Sequence, residues 1–443
     1  MTGKSGIQFS GALALLALLG THGAEAGLKQ LEIKGKTSLA GYTLNKNNGN
    51  AIRGGGSDST LLLDTDLDFK MKFSQDVSAR IDLELDGGQA GEQIFDGKST
   101  SNVSTQDNRF AIGVDQAFFK MNDFLFKNFA LSLGKQDLNM SLRDRGSYNW
   151  AWGDPVSMVG SYSTRDMDLK LYFAKYNDDS NLATSGSTNN DDDELYGTYG
   201  EYWLNDDSLV IGYVNYKSVD TAASVNRNIL HYGLGLDYFV GETLELYAEV
   251  AGQSLSSKTT AYDGSAYQLN LGVEYAFADF DMKPTVNVDY YLQSGADSSD
   301  PAWQNIGGGS AGAENQSLFV EGLGRDAATR DLNFGAGLVS FAGGTSATNG
   351  GYSVLRLNSW ISPSKSTKVG LGAHFFKDED NTSSDDLGTE VDLTGSWKYS
   401  QDVTFRAGTF IWLGGNTDGT TASAAGTQYE DVTGFTVSSS LMF

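Results

Sequence analysis

Between Leu61 and Phe73 the side chains alternate with a period of two. Leu61, Leu63, Leu67, Phe69, Met71 and Phe73 fall on one side, broken only by Thr65, while Asp64, Asp66, Asp68, Lys70 and Lys72 fall on the other. That period belongs to a β-strand whose two faces meet different surroundings. A strand of a soluble antiparallel sandwich alternates in the same way, but strands in such domains usually run about 5–6 residues. A run from Leu61 to Phe73 at about 3.3 Å per residue rises roughly 43 Å. Tilted by about 40°, it covers the ~25 Å apolar band of a membrane-spanning barrel.

The rest of the chain repeats the pattern. After a tight turn at Ser74–Val77, Ala79, Ile81, Leu83 and Leu85 alternate with Ser78, Arg80, Asp82, Glu84 and Asp86, and a long polar stretch, Gly87–Asp107, follows. Short turn and long loop then recur in turn. The periodicity predicts strands at about 28–45, 59–73, 77–86, 108–121, 128–139, 155–163, 166–177, 194–204 and 208–217, and at about 228–240, 243–256, 265–277, 282–293, 351–361, 367–377, 387–399, 402–414 and 430–443. Aromatic residues gather near strand ends, as in Tyr202-Trp203, Tyr238-Phe239 and Phe375-Phe376, where a membrane interface would place them.

Strands can cross lipid only as a closed barrel, because every backbone polar group must be bonded within the protein. The expected fold is therefore all-β: a transmembrane antiparallel up-and-down β-barrel of about eighteen strands, with sixteen or twenty as alternatives. The ambiguity lies in 294–350, where Ser317–Val320 and Leu332–Phe341 are apolar runs that make either an extra hairpin or an inserted plug. An even count puts both ends of the barrel chain on the periplasmic side, with short turns there and long loops outside.

Residues 1–26 have the features of a secretory signal peptide: Lys4, the apolar run Gly11–Leu19, and an A-x-A site at Ala24-Glu25-Ala26. Residues 27–443 then form the single barrel domain. Removing 1–26 takes away one base, Lys4, and one acid, Glu25, so the formal charge stays at −25. That acidity argues against nucleic acid as a partner. The absence of cysteine excludes thiolate metal sites, iron–sulfur clusters and covalent haem attachment on this chain. Only 4 prolines among 443 residues leaves few interruptions to a hydrogen-bond ladder. In the last strand Phe435, Val437, Leu441 and Phe443 share one face, an ending like that of outer-membrane barrels.

Two stretches carry a family resemblance. Leu131–Asn139, followed by Arg143-Asp144-Arg145 and Trp150–Asp154, resembles a strand end of the alginate-export-like outer-membrane barrels, with Lys135 where members carry Arg. Val354–Phe376, a strand, a turn at Ser362–Lys365 and a second strand, is similar to a late hairpin of the same family. The resemblance implies a wide barrel enclosing an aqueous conduit.

Enzyme signatures are scarce: there is no H-E-x-x-H or phosphate-loop pattern. The expected activity is not catalysis but passive diffusion of hydrophilic solutes, ions or oligosaccharides through a porin-like channel in the outer membrane of a Gram-negative bacterium. Strand phase assigns Asp64, Asp66, Asp68, Lys70, Lys72, Arg80, Asp82, Glu84, Asp86, His231 and His374 to the pore lining, where fixed charges tune selectivity. Arg143, Arg145, Arg325 and Arg330 are candidates for a constriction. No cofactor is expected, but Asp191, Asp192, Asp193, Asp378 and Asp380 offer oxygen ligands for Ca²⁺ or Mg²⁺ in external loops, against the plainer reading of solvated charge. Expected partners are membrane lipid, lipopolysaccharide and small solutes, with a homo-oligomer or a periplasmic or surface protein as further candidates. The competing functions are a barrel sheath around partner cytochromes, and a surface receptor or adhesin.

Overall fold

The structure is a computed structural model that describes residues 27–46, 58–86, 111–138, 155–178, 192–221, 225–257, 263–295, 352–379, 386–414 and 431–443. Among the described residues all regular structure is β. The strands are β1 (Gln30–Lys46), β2 (Asp58–Lys72), β3 (Val77–Asp86), β4 (Ala111–Met121), β5 (Phe129–Lys135), β6 (Val156–Ser163), β7 (Met167–Asp178), β8 (Asp192–Trp203) and β9 (Leu209–Thr221). They continue as β10 (Val225–Val240), β11 (Leu244–Ser257), β12 (Gly264–Ala276), β13 (Thr285–Gln293), β14 (Tyr352–Ser364), β15 (Thr367–Asp378), β16 (Asp386–Lys398), β17 (Val403–Gly414) and β18 (Val432–Met442). No helix here is long and apolar enough to cross a membrane.

Each strand pairs antiparallel with its neighbours in sequence, and β1 pairs with β18 from Lys36↔Met442 to Lys46↔Val432. The 18-stranded sheet is thereby closed. Closure leaves no strand edge unpaired, which is what a lipid environment demands. The chain is a transmembrane up-and-down β-barrel of the expected strand number.

The register follows side-chain phase from strand to strand. One row runs Lys120–Ser132–Val159–Tyr172–Gly197–Asn215–His231–Gln253–Ala266, from β4 to β12. It points inward. The opposite phase points outward, so Leu230, Tyr232, Leu234, Leu236 and Tyr238 are exposed while His231 and Asp237 between them are buried. An exposed apolar surface on this scale would drive aggregation in water; against hydrocarbon it is the stable arrangement. Aromatic clusters cap this surface at the short-turn end, among them Trp397, Tyr399 and Phe405, and Tyr275, Phe277 and Phe280. Phe173 and Tyr196 do so near the opposite end.

Several boundaries differ from expectation. β5 ends at Lys135 rather than near Asn139, because the chain turns inward and buries Leu138 against Tyr172, Leu195 and Tyr199. β9 and β10 run further, pairing up to Val225↔Thr221, so their connection is short although it lies at the long-loop end. β14 continues through Pro363 to Ser364 across a register shift after Ile361, an irregularity that accommodates a residue with no N–H to donate. The expected apolar runs at Ser317–Val320 and Leu332–Phe341 lie outside the described residues.

Candidate functional site: the inward wall

The inward wall has two parts of different character. The first is built by β1 to β4. Across β1 and β2 the register opposes Glu32 to Lys70, Lys34 to Asp68, and Lys36 to Asp66, so each facing pair is of opposite sign. Across β2 and β3 it does the reverse: Asp68 faces Asp82 and Lys70 faces Arg80. Like charges directly opposite one another are unfavourable. Arg80 resolves the conflict diagonally. Its Nε donates to Asp68 Oδ1 at 2.8 Å, its Nη2 to Asp82 Oδ2 at 2.9 Å, and its Nη1 to Gln116 Oε1 at 3.2 Å. The planar guanidinium suits this task because its donors are fixed in one fork. Lys70 Nζ lies 3.1 Å from the other Asp68 oxygen, Oδ2. The lysines remain in contact with water, the side chain of Lys34 62% exposed and that of Lys70 48%, while Asp82 is buried beneath Arg80.

The second part, from β7 to β16, is sealed. Its chief device is a tyrosine laid across a glycine of the next strand. Tyr172 faces Gly197, and its hydroxyl reaches Asn215 one strand further. Tyr213 faces Gly233 and donates to Glu249 at 3.1 Å. Tyr247 faces Gly272, donates to Asp289 at 3.3 Å and accepts from Asn287 at 3.0 Å. A Cβ on any of the three glycines would collide with the tyrosine ring or hydroxyl, so the contact depends on a missing side chain. Further round, Arg356 pairs with Asp289 at 2.9 Å and lies 5.9 Å above the Tyr291 ring. His374 sits 3.4 Å from Asp392, and His231 2.9 Å from the Gln253 amide nitrogen. Glu201, Glu249, Asp289, Glu390 and Asp392 are all buried. Buried charge is tolerated only where partners replace the lost water.

Of the residues expected to line a pore, Asp66, Asp68, Lys70, Lys72, Arg80 and Asp82 sit together on the first part. Asp64, Glu84 and Asp86 belong to the same inward register, and only their backbone is described. His231 and His374 point inward, yet both are fully buried and belong to the sealed part. Arg143, Arg145, Arg325, Arg330, Asp191 and Asp380 lie outside the described residues, while Asp192, Asp193 and Asp378 are described as strand backbone only. Among the described residues no group of three or more His, Cys, Asp or Glu side chains could hold a metal. Sequence reasoning missed the sealing tyrosines, Arg356 and the acids they hold. A signal existed: Tyr172, Tyr213 and Tyr247 occupy the polar phase of their strands, where an aromatic residue needs a polar partner for its hydroxyl.

No protein-family model matches the chain, and no curated protein matches it by sequence. Solved structures match it along nearly its whole length. OccAB4 of Acinetobacter baumannii is 10% identical, with 94% of this chain and 99% of that one covered and a TM-score of 0.54. OccK9 (OpdG) of Pseudomonas aeruginosa is 11% identical, with coverages of 95% and 100% and a TM-score of 0.53. OprD of the same organism is 11% identical, with coverages of 95% and 97% and a TM-score of 0.51. At such identities the likeness concerns the fold: the chain is a closed barrel of the porin architecture.

Proposed function

We propose that this chain is an outer-membrane channel through which hydrophilic solutes diffuse passively. One observation carries the reading. Inside a closed barrel with an apolar exterior, Lys34, Lys70 and Lys72 on the inward face of β1 and β2 are exposed to water, and Glu32, Lys36, Asp66, Asp68 and Arg80 beside them are half-buried. A lining of this kind has no use in a sealed core, where its desolvation would cost more than its pairing returns. In a water-filled lumen it is hydrated and acts on whatever passes. Residues 1–26 direct export and are removed, and the short turns then face the periplasm. The narrower kinship with alginate-export-like barrels rests on the Leu131–Asn139 and Val354–Phe376 stretches alone, the end of β5 and the β14–β15 hairpin. Purified protein added to a planar lipid bilayer is expected to give discrete conductance steps. A bilayer that stays closed with folded, inserted barrel would refute the channel.

A further inference from the structure

The chain carries a formal charge of −25, and a conduit built from it would be expected to favour cations. The wall points the other way, because its charges are sorted by burial. We propose that solutes pass along the β1–β4 side, and that a basic threshold at the short-turn end of that side makes the passage prefer small anions. The inference deepens the channel reading and rests on it.

The acids of the sealed part contribute little to the field in the water. Glu201, Glu249 and Asp289 are each bonded to a tyrosine hydroxyl, and Asp289 is also held by Arg356. Asp289 is compensated at contact distance by Arg356, so the pair acts on a distant ion only as a dipole, while Glu201 and Glu249 are buried away from the solute path. On β2 and β3, Asp68 and Asp82 are likewise held, both by Arg80. The cations are differently placed. One inward row at the short-turn end reads Gln30–Lys72–Ser78–Lys120–Ser132 across β1 to β5 and contains two lysines and no carboxylate. Lys72 is exposed and Lys120 half-buried. The adjoining row holds Glu32, Lys70 and Arg80, each engaged in ion pairs with the row beyond: Glu32 with Lys34, Lys70 with Asp68, and Arg80 with Asp68 and Asp82. Moving away from the turns, the next row returns to Lys34, Asp68 and Asp82. The excess of positive charge is therefore local to the threshold, within a Debye length of about 8 Å at physiological salt. Fixed charges at a channel entry raise the local concentration of the opposite ion and tune which ion crosses.

The absence of cysteine gives a clean test. Lys72→Cys and Glu249→Cys proteins, each verified as folded by heat-modifiable migration on a gel, are placed in planar bilayers and treated with anionic and cationic methanethiosulfonate reagents of similar size. The expected result is that Lys72→Cys conductance falls on modification, faster with the anionic reagent, while Glu249→Cys conductance is unaffected. In the unmodified protein the zero-current potential under a KCl gradient is expected to have the sign of chloride permeation, and Lys72→Glu with Lys120→Glu should move it toward potassium. Conductance steps with a potassium-signed potential, or faster cationic modification at Lys72→Cys, would overturn the anion preference and leave the channel standing. Equal modification at Glu249→Cys would overturn the one-sided path. No conductance from the folded unmodified protein would remove both this inference and the channel reading.

Discussion

Arg356 on β14 and Asp289 on β13 meet at 2.9 Å with both side chains cut off from water, 0% and 1% exposed. The pair joins the two described strands that flank the long 294–351 connection, at a point where the register opposes them directly. Each partner makes the burial of the other tolerable.

Arg356→Met should therefore be costly. It leaves the Asp289 carboxylate buried with the Tyr247 hydroxyl still bonded to it, and the expected loss is about 3 kcal/mol. Adding Asp289→Leu removes the stranded charge and should restore most of that loss, since apolar replacement of a buried pair is often neutral. Urea unfolding of the barrel in lipid vesicles, followed by tryptophan fluorescence, checks both. A double variant as unstable as the single one would show that the pair does something beyond compensating its own charges.

The tyrosine-over-glycine contacts give a second expectation. Tyr247→Phe keeps the ring on Gly272 and removes only the hydroxyl, so the loss should be that of a hydrogen bond to a charged group, about 1.5–3 kcal/mol. Gly272→Ala keeps the hydroxyl but places a methyl where the ring lies, an overpacking that costs about 1–3 kcal/mol. Combined, the two should cost less than their sum, because the methyl displaces the same ring that has lost its bond. Unfolding midpoints of the three variants measure this, and a combined loss equal to the sum would mean that ring and hydroxyl act separately.

Why strands were legible and much of the wall was not follows from where each signal resides. Alternation is a property of consecutive residues, so β3 falls at 77–86 as read, and the eighteen strands follow. Inward charge is equally local, and Asp68, Lys70 and Arg80 were visible in their own strands. Burial is not local. His231 has the same phase as Lys120 and lies in the same row, yet one is sealed and the other meets water. Sealing on that side depends on tyrosines such as Tyr172 and Tyr213, two strands from the groups their hydroxyls reach, and on the glycines of the strand between. The inward turn after Lys135 was invisible for the same reason: Leu138 leaves the strand to meet side chains of β7 and β8.

The seam between first and last strands has its own lock. Phe443 N–H donates to the Gly35 carbonyl at 3.0 Å, Gly35 N–H donates to the Phe443 carbonyl at 2.8 Å, and the Phe443 ring covers Gly35 on the outward face. An aromatic ring over a strand glycine compensates for the side chain the glycine lacks. Phe443→Ala should keep both backbone bonds and lose only the ring contact, about 1 kcal/mol. Gly35→Ala should cost less than Gly272→Ala, because the exposed Phe443 ring can swing aside whereas the buried Tyr247 ring cannot. The two glycine variants compared by urea unfolding decide it, and equal losses would show that the seam ring is as constrained as the one inside the wall.

Arg80 is where stability and selectivity should separate. It is 31% exposed, so its bonds to Asp68 and Asp82 are screened by lumen water and worth roughly 1 kcal/mol together. Arg80→Gln should thus unfold at nearly the wild-type urea concentration. Its effect on permeation should be larger, since Asp68 and Asp82 then face one another across β2 and β3 without the fork that holds both. Two carboxylates released toward the water next to Lys70 should cancel much of the basic threshold and shift the zero-current potential toward potassium. Arg80→Lys retains the charge but loses the fork, and should shift it only partway. A potential unchanged in Arg80→Gln would mean that Lys72 and Lys120 fix the sign alone.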